Sequence, residues 1–313
     1  MGQGLFAEDY PKVEISNKTI QAVVMLPDPV HGSYRATRFD WSGVISSLQY
    51  GGHQFVSRWY EHQDPLVHDS ITGPAEEFIT SLGYDEANSR GTFVRIGVGT
   101  LRKPDEKSFR RFSTYDVVDP GKWTVRKSAN KLVFIQKLKS DDGYGYVYRK
   151  TLRLVKGKPE LVIEHSLKNT GSKLLATDEY CHNFFVIDHE VVGPSISVHF
   201  PFVPKPLQTL KHGAEVRGQS IRYARDLKKG EVVFSEIRGF GDRIDSYNIR
   251  IENHKAGVGV RISGSRPLAK LLFWSIRTVA CPEPYIRLHI EPGARARWKL
   301  TYVFYKIAPP SSE

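Results

Sequence analysis

Hydrophobic and polar residues alternate along much of this chain, which is the pattern of a β-strand with one buried face. The clearest example is the run Tyr-Val-Tyr-Arg-Lys-Thr-Leu-Arg-Leu-Val at residues 146–155. A Lys-Gly-Lys-Pro turn signal at 156–159 separates it from a second run of this kind at 161–167. Two such runs joined by a short segment that contains Gly and Pro predict a β-hairpin.

Similar runs recur along the chain, each bounded by Gly, Asn or Pro. They predict strands at residues 131–138, 196–200, 247–252, 257–262, 271–276, 286–290 and 297–305. No long window shows the period of an amphipathic helix. So many strands predict an all-β fold, a large antiparallel β-sandwich. Apart from the tail Pro-Pro-Ser-Ser at 309–312, no linker is visible. We therefore expect residues 1–313 to form a single domain with its core at residues 14–307.

The composition is that of an ordinary globular protein, with 40% hydrophobic and 25% charged residues. The longest apolar runs, at 20–26 and 268–274, are far shorter than the roughly 20 residues of a transmembrane helix. Residues 1–5 lack the basic and apolar regions of a signal peptide. We therefore expect a cytoplasmic protein with no membrane partner; the alternative is a protein whose signal peptide has been removed, which would show the same N-terminus. The two cysteines are too few for a disulfide framework and are interpreted as buried thiols.

The net charge of +11 would favour acidic partners such as nucleic acid. The basic residues, however, are scattered over strand-like segments, as at positions 149, 150, 153, 156 and 158. This pattern is typical of a solvated sheet face, so we expect no nucleic-acid partner.

Two short segments carry side chains suited to proton transfer. His182 lies in Tyr-Cys-His-Asn-Phe-Phe at 180–185, and Glu283 lies in Cys-Pro-Glu-Pro at 281–284. An imidazole with an ordinary pKa of about 6.5 and an ionised carboxylate form an acid and base pair if the fold brings them together. The competing interpretations are a histidine satisfied by a core carbonyl and a carboxylate in a proline-rich turn. Glu291 is an alternative base eight positions further on.

The order of several motifs resembles that of the galactose mutarotase (aldose 1-epimerase) superfamily. Lys-Asn-Thr-Gly at 168–171 and Cys-His-Asn-Phe-Phe at 181–185 are similar to a turn and an Asn-His-x-Tyr/Phe-Phe motif of that superfamily. The segments at 43–53, 273–275, 281–284 and 290–293 are similar to its opening strand, a Trp-containing strand, its Glu-Pro segment and its closing Pro-Gly turn. The resemblance covers residues 14–307 and implies a β-supersandwich.

By this resemblance, His182 is the general acid that protonates the ring oxygen of a sugar, and Glu283 is the base that takes the proton of the anomeric hydroxyl. Together they would open the ring of a monosaccharide or modified sugar, so that reclosure interconverts its anomers with no cofactor. Position 181 departs from the pattern, with Cys in place of Asn. The superfamily's Gly-Arg-x-x-Asn-Arg and Leu-His-Gly-Gly segments have no clear match, so we expect common free hexoses to be poor substrates.

The remaining candidates form a divergent set of sugar-binding groups. Guanidinium groups donate paired hydrogen bonds, carboxylates accept hydroxyl protons, and an indole can stack on a pyranose ring. The candidates are Arg38, Trp41, Glu77 (with its neighbour Glu76), Arg95, Asp242 and Trp274. The competing interpretation is a surface loop with ordinary ion pairs. Three further tryptophans are assigned to core packing: Trp59, Trp123 and Trp298.

Four residues of one segment, His62, Asp64, His68 and Asp69, offer metal ligands at short spacing. Polar loops of this kind usually hold no metal, so no metal is assigned. Two other functions would use the same pocket as an epimerase. One is cleavage of a glycoside by a lyase or hydrolase reaction, and the other is carbohydrate binding without catalysis. The presence of both His182 and Glu283 argues against the second.

Overall fold

The structure, a computed structural model, describes residues 10–308, which form 23 β-strands and a 3₁₀ helix at Ile244–Ser246. The first strands are β1 (Lys12–Ser16), β2 (Ile20–Met25), β3 (Ile45–Tyr50), β4 (His53–Val56), β5 (Gly73–Phe78), β6 (Thr92–Arg95), β7 (Gly99–Arg102), β8 (Val117–Asp119), β9 (Lys122–Ser128), β10 (Lys131–Lys139), β11 (Gly145–Leu154) and β12 (Glu160–Asn169). The others are β13 (Leu175–Phe184), β14 (Ile196–His199), β15 (Lys205–Pro206), β16 (Ala214–Arg217), β17 (Ser220–Tyr223), β18 (Val233–Arg238), β19 (Asn248–Asn253), β20 (Val258–Gly264), β21 (Lys270–Ile276), β22 (Val279–Ile290) and β23 (Arg295–Lys306). The N-terminal segment 1–5 and the tail 309–312 lie outside the described residues.

The strands pair in four sheets. Ten strands form the largest sheet, in the order β16-β17-β14-β19-β20-β23-β12-β11-β10-β9. Six strands form the second, in the order β15-β18-β21-β22-β13-β5, while β1 to β4 and β6 to β8 form sheets of four and three strands. Strand pairs in both large sheets are antiparallel. The prediction of an all-β antiparallel sandwich is confirmed.

The core lies on both faces of the six-stranded sheet. On one face, side chains such as Phe273 and Leu288 belong to the same buried cluster as Phe134 and Tyr302 of the ten-stranded sheet. On the other face, side chains of β13 and β22 belong to a second cluster with residues of the loops and the three-stranded sheet. Period-two alternation therefore gives each central strand two buried faces with different neighbours. The assignment of residues 1–313 to a single domain stays a prediction.

The predicted hairpin is formed by β11 and β12, which pair from Tyr146↔Asn169 to Leu154↔Leu161. Gly157 has a φ of 69° in the turn, a left-handed conformation that favours glycine. The prediction that position 150 belongs to a solvated face is wrong. Lys150 is 1% exposed, and its Nζ lies 2.6 Å from Glu76 Oε2. The alternating pattern predicts which face of the sheet a residue occupies, and Lys150 lies on the inner face, where it forms a buried ion pair with Glu76.

No helix in the described part of the chain is long and apolar enough to cross a membrane.

Candidate active site

A cleft of about 320 Å³ opens on the face of the six-stranded sheet that is turned away from the ten-stranded sheet. Its lining residues come from strands β13, β18, β21 and β22 and from the loops at 26–44, 57–72 and 103–116. The lining residues are Arg38, Trp59, His68, Asp69, Arg111, Phe112, His182, Phe184, Phe234, Leu272, Trp274 and Glu283. Charged and aromatic side chains thus surround a space of the size expected for a small-molecule site.

His182 and Glu283 are in contact at the base of this cleft. His182 Nε2 lies 3.3 Å from Glu283 Oε1, and the two side chains are only 5% and 7% exposed. The register explains the contact, because β13 and β22 pair up to Tyr180↔Tyr285. Two residues further along both strands, the antiparallel alignment places position 182 opposite position 283 on the same face.

Proline residues shape this part of β22, which begins seven residues before the predicted strand at 286–290. Pro282 and Pro284 lack a backbone N–H, so the regular hydrogen bonds toward β13 stop before them. The amide of Asn183 replaces part of this ladder, because its Nδ2 donates a hydrogen bond to the Pro282 carbonyl at 2.9 Å. The interpretation of Glu283 as a carboxylate in a proline-rich turn is therefore wrong, since it lies in the strand β22.

The protonation of the pair follows from its burial. Burial raises the pKa of Glu283 to about 7, against the lowering effect of the nearby charges of Arg38 and Arg111. Burial lowers the pKa of His182 well below its ordinary value of 6.5, and the same two arginines lower it further. His182 Nδ1 is buried without a hydrogen-bond partner among the described residues, so proton exchange by the ring runs through Nε2. Just below pH 7 the two groups therefore share one proton.

Glu77 anchors three arginines beside the pair. It is fully buried, and Arg111 donates two hydrogen bonds of 2.8 Å to its two oxygens. Arg38 Nε and Arg95 Nη2 each approach it at 3.1 Å. Burial alone would raise the pKa of Glu77, but the hydrogen bonds and charges of the three arginines hold it at about 2. Glu77 is therefore a permanent anion that positions cations, and it is not a proton acceptor.

Aromatic rings hold His182 in place and form one wall of the cleft. The imidazole stacks on Phe184 with ring centroids 3.8 Å apart, and Trp274 meets it edge-on at 5.3 Å. Trp59 stacks on Phe184 at 4.9 Å, and its indole N–H donates to the Ile71 carbonyl. These contacts fix the orientation of the imidazole ring, and both Trp59 and Trp274 line the cleft.

No protein-family model matches the chain, and no curated protein matches its sequence. Solved structures do match. A candidate aldose 1-epimerase from Escherichia coli superposes with a TM-score of 0.58 at 13% identity, over 95% of this chain and 99% of that one. A galactose mutarotase-like protein from Clostridium acetobutylicum superposes with a TM-score of 0.57 at 12% identity, over 95% of each chain. The chain has the galactose mutarotase-like fold. A GalM/aldose epimerase homologue from C. elegans agrees, with a TM-score of 0.53 at 12% identity over 95% of this chain and 99% of that one.

Within this galactose mutarotase-like fold, some of the predicted site residues line the cleft, some lie beneath it and some lie away from it. His182, Glu283, Arg38 and Trp274 line the cleft. Glu77 and Arg95 lie beneath it, since they are 0% and 1% exposed and bind each other.

Two predicted sugar-binding residues lie away from the cleft. Trp41 is 2% exposed, and its indole N–H donates to the Ala36 carbonyl at 2.8 Å, so it has no free ring face for a sugar. The prediction for Trp41 is wrong because its apolar ring packs in the cluster behind the cleft. Asp242 lies in an exposed segment before the 3₁₀ helix and is not among the lining residues.

The fold also places Glu76 and Glu291, the alternatives to Glu77 and Glu283, outside the cleft. Glu76 lies on the opposite face of β5 from Glu77, where it pairs with Lys150 and with His165 Nε2 at 2.9 Å. Glu291 is 66% exposed and pairs with His289 at 3.0 Å, so it is outside the cleft. Glu283 is therefore the carboxylate that the fold brings to His182.

Of the four residues that offered metal ligands, His62, Asp64, His68 and Asp69, two contact an arginine of the cleft. His68 and Asp69 line the cleft and contact Arg38, with Asp69 Oδ1 2.5 Å from Arg38 Nη1. Asp64 accepts a hydrogen bond from the Leu66 N–H, and His62 is exposed. These four side chains do not converge on one point.

The cleft contains residues that the sequence alone does not single out for a site, Arg111 and Trp59 among them. Arg111 was not a candidate, although Arg-Arg-Phe at 110–112 combines guanidinium groups with an aromatic ring, as ligand-binding loops often do. Trp59, which the sequence assigns to core packing, does pack against the second hydrophobic cluster, but it also lines the cleft. Trp298 does pack in the core, where it stacks on His165 at 4.6 Å.

Proposed function

We propose that the protein interconverts the anomers of an aldose or modified aldose, with His182 and Glu283 as the proton-transfer pair. The contact of 3.3 Å between His182 Nε2 and Glu283 Oε1 carries this proposal. Ring opening removes a proton from the anomeric hydroxyl and adds one to the ring oxygen. Because both oxygens are bonded to the same carbon, the acid and the base must be close neighbours. Several solved structures with this fold are described as aldose epimerases or mutarotase-like proteins, which supports the same reaction.

The shared proton supplies both halves of the reaction. When the proton is on His182 and Glu283 is ionised, the imidazolium protonates the ring oxygen while the carboxylate takes the hydroxyl proton. The C1–O5 bond breaks and the aldehyde forms, with no net change in protons. The proton has moved from His182 to Glu283, and ring closure on the other face of the aldehyde returns it.

The surroundings of the pair favour this reaction over glycoside hydrolysis. Most glycoside hydrolases use two carboxyl groups, at separations that depend on the stereochemistry. Here Glu77 is committed to three arginines, and Asp69 is paired with Arg38. Glu283 is the carboxyl group of the cleft whose pKa lies near neutrality. One such carboxyl group beside an imidazole suits ring opening better than the displacement of a glycosidic oxygen.

Polarimetry tests the proposal directly. Freshly dissolved α-anomers of neutral aldoses, hexose 6-phosphates and uronic acids are followed with and without the protein. We expect a faster approach to the equilibrium rotation for at least one sugar, and smaller effects on free glucose and galactose. The same samples are examined for new reducing ends after incubation with oligosaccharides. Cleavage without any acceleration of mutarotation would contradict the proposal and favour the lyase or hydrolase reaction, and neither effect would favour carbohydrate binding alone.

The pH dependence of kcat/KM should follow the protonation state of the His182 and Glu283 pair. Above the Glu283 pKa of about 7 the pair loses its proton, so it retains a base but no acid. Below the lowered pKa of His182 the pair holds two protons and has no base. We therefore expect a bell-shaped profile of kcat/KM whose alkaline limb falls near pH 7. A rate that rises through pH 7 to a plateau would contradict the shared-proton mechanism.

A further inference from the structure

Four polar side chains meet on the outer face of the ten-stranded sheet, and none of them lines the cleft. Strands β14 and β19 pair with Ser197 opposite Glu252 and His199 opposite Arg250. Side chains two residues apart share a face, so Ser197 and His199 of β14 lie on the same side as Glu252 of β19. The residues between them, Val198 and Ile251, are buried in the core on the inner side.

His254 follows β19 directly and completes the group. The ligand atoms of His199, Glu252 and His254 all lie within 4.8 Å of one another. Glu252 Oε2 lies 3.0 Å from His199 Nε2 and 3.8 Å from His254 Nε2. Ser197 Oγ is 2.8 Å and 2.7 Å from the same two nitrogens. Three atoms bound to one ion at about 2.1 Å in a tetrahedral set would be about 3.4 Å apart, which is close to these separations.

The two oxygens of Glu252 have different partners, which fixes the carboxylate. Oε2 faces the histidines, while Oε1 accepts a hydrogen bond of 2.7 Å from the Tyr305 hydroxyl and lies 3.6 Å from Arg250. Gly259 lies opposite both Glu252 and Tyr305. A Cβ at Gly259 would lie 2.8 Å from the Tyr305 ring and 3.0 Å from Glu252 Cγ. The absence of a side chain there lets the tyrosine reach across the sheet and orient the carboxylate.

We propose that His199, Glu252 and His254 bind a divalent transition metal of the Zn²⁺ class. Two imidazole nitrogens and one carboxylate oxygen form a ligand set that suits Zn²⁺ and Co²⁺, whereas Ca²⁺ and Mg²⁺ require mostly oxygen ligands. Ser197 Oγ or a water molecule occupies the fourth position. A hydrogen bond from outside the ligand set, such as that of Tyr305 to Glu252, commonly supports a metal ligand. The metal would tie β14 to the end of β19 and take no part in the chemistry of the cleft.

Titration with Co²⁺ tests this site, because bound Co²⁺ is followed by its visible absorption. The wild-type protein should bind one Co²⁺ with high affinity, Zn²⁺ should displace it, and excess Ca²⁺ should leave it in place. His199→Ala and His254→Ala should each abolish this binding. Tyr305→Phe, which keeps all three ligands, should weaken it by about 10-fold to 100-fold.

His289→Ala is the matched control, since His289 also pairs with a glutamate but lies outside the group. It should leave the affinity for Co²⁺ unchanged. Circular dichroism and unfolding curves of each variant without metal separate a lost ligand from a lost fold. The proposal is overturned if the folded His199→Ala and His254→Ala variants bind Co²⁺ as tightly as the wild-type protein. It is also overturned if the wild-type protein shows no saturable binding.

Discussion

Replacement of Glu283 by Gln should reduce the acceleration of mutarotation by about 100-fold to 10,000-fold, the usual loss when a positioned proton-transfer group is removed. The amide has nearly the same shape as the carboxyl group but cannot exchange a proton with His182 Nε2, which lies 3.3 Å from the native carboxylate. His182→Asn should cause a loss of similar size, because the remaining carboxyl group has no partner with which to share a proton. Polarimetry on the best sugar of the panel measures both losses.

Glu291→Gln is the matched control for this experiment. Glu291 is close in the chain but is 66% exposed and pairs with His289, so its replacement should leave the rate unchanged. If Glu283→Gln retained full activity while Glu291→Gln lost it, the assignment of the base would be wrong. A folded Glu283→Gln variant, shown by circular dichroism, is required for the comparison.

Replacement of Glu77 by Gln should destabilise the protein by about 3–5 kcal/mol, the cost of leaving buried charges without their partner. Arg38 and Arg95 are 8% and 1% exposed, and both would lose their shared carboxylate. The pKa of Glu77, about 2 instead of its ordinary 4.5, is worth about 3 kcal/mol and agrees with this range. Because the pKa is lowered on folding, this stabilisation is present above pH 4.5 and is lost as the pH falls toward 2. Urea unfolding at pH 7 measures the change.

An exposed ion pair provides the comparison for Glu77. Glu164 is 49% exposed and lies 3.9 Å from Arg153, so Glu164→Gln should change the free energy of unfolding by less than about 1 kcal/mol. Equal midpoints of unfolding for the two variants, with equal dependence on urea concentration, would contradict the role given to Glu77. It would mean that the three arginines find other partners when the carboxylate is removed.

The strands of the second half of the chain were predictable because their alternating pattern is regular and their turns contain Gly or Pro. The hairpin of β11 and β12 is the best case. The start of β22 was missed because Pro282 and Pro284 normally end a strand, whereas here the side chain of Asn183 satisfies the Pro282 carbonyl. The sequence also did not show which aromatic residues face the cleft, since Trp41 is only 2% exposed whereas Trp59 is a lining residue.

The proximity of His182 to Glu283 was predictable from the motif resemblance, and the structure places His182 Nε2 3.3 Å from Glu283 Oε1. The cluster around Glu77 was not, because it joins residues of four separate segments through charge complementarity. Arg38, Arg95 and Arg111 have no common spacing in the sequence. Only the folded structure shows that the carboxylate of Glu77 binds all three arginines.

A crystal structure of the Glu283→Gln variant with a bound aldose is the most direct test of the central claim. The aldose should be the one whose mutarotation the wild-type protein accelerates most. We expect the anomeric hydroxyl to contact the side chain at position 283 and the ring oxygen to contact His182 Nε2, with one face of the sugar against Trp59 or Trp274. A sugar bound in the cleft with its anomeric carbon turned away from both residues, or bound at another site, would contradict the account.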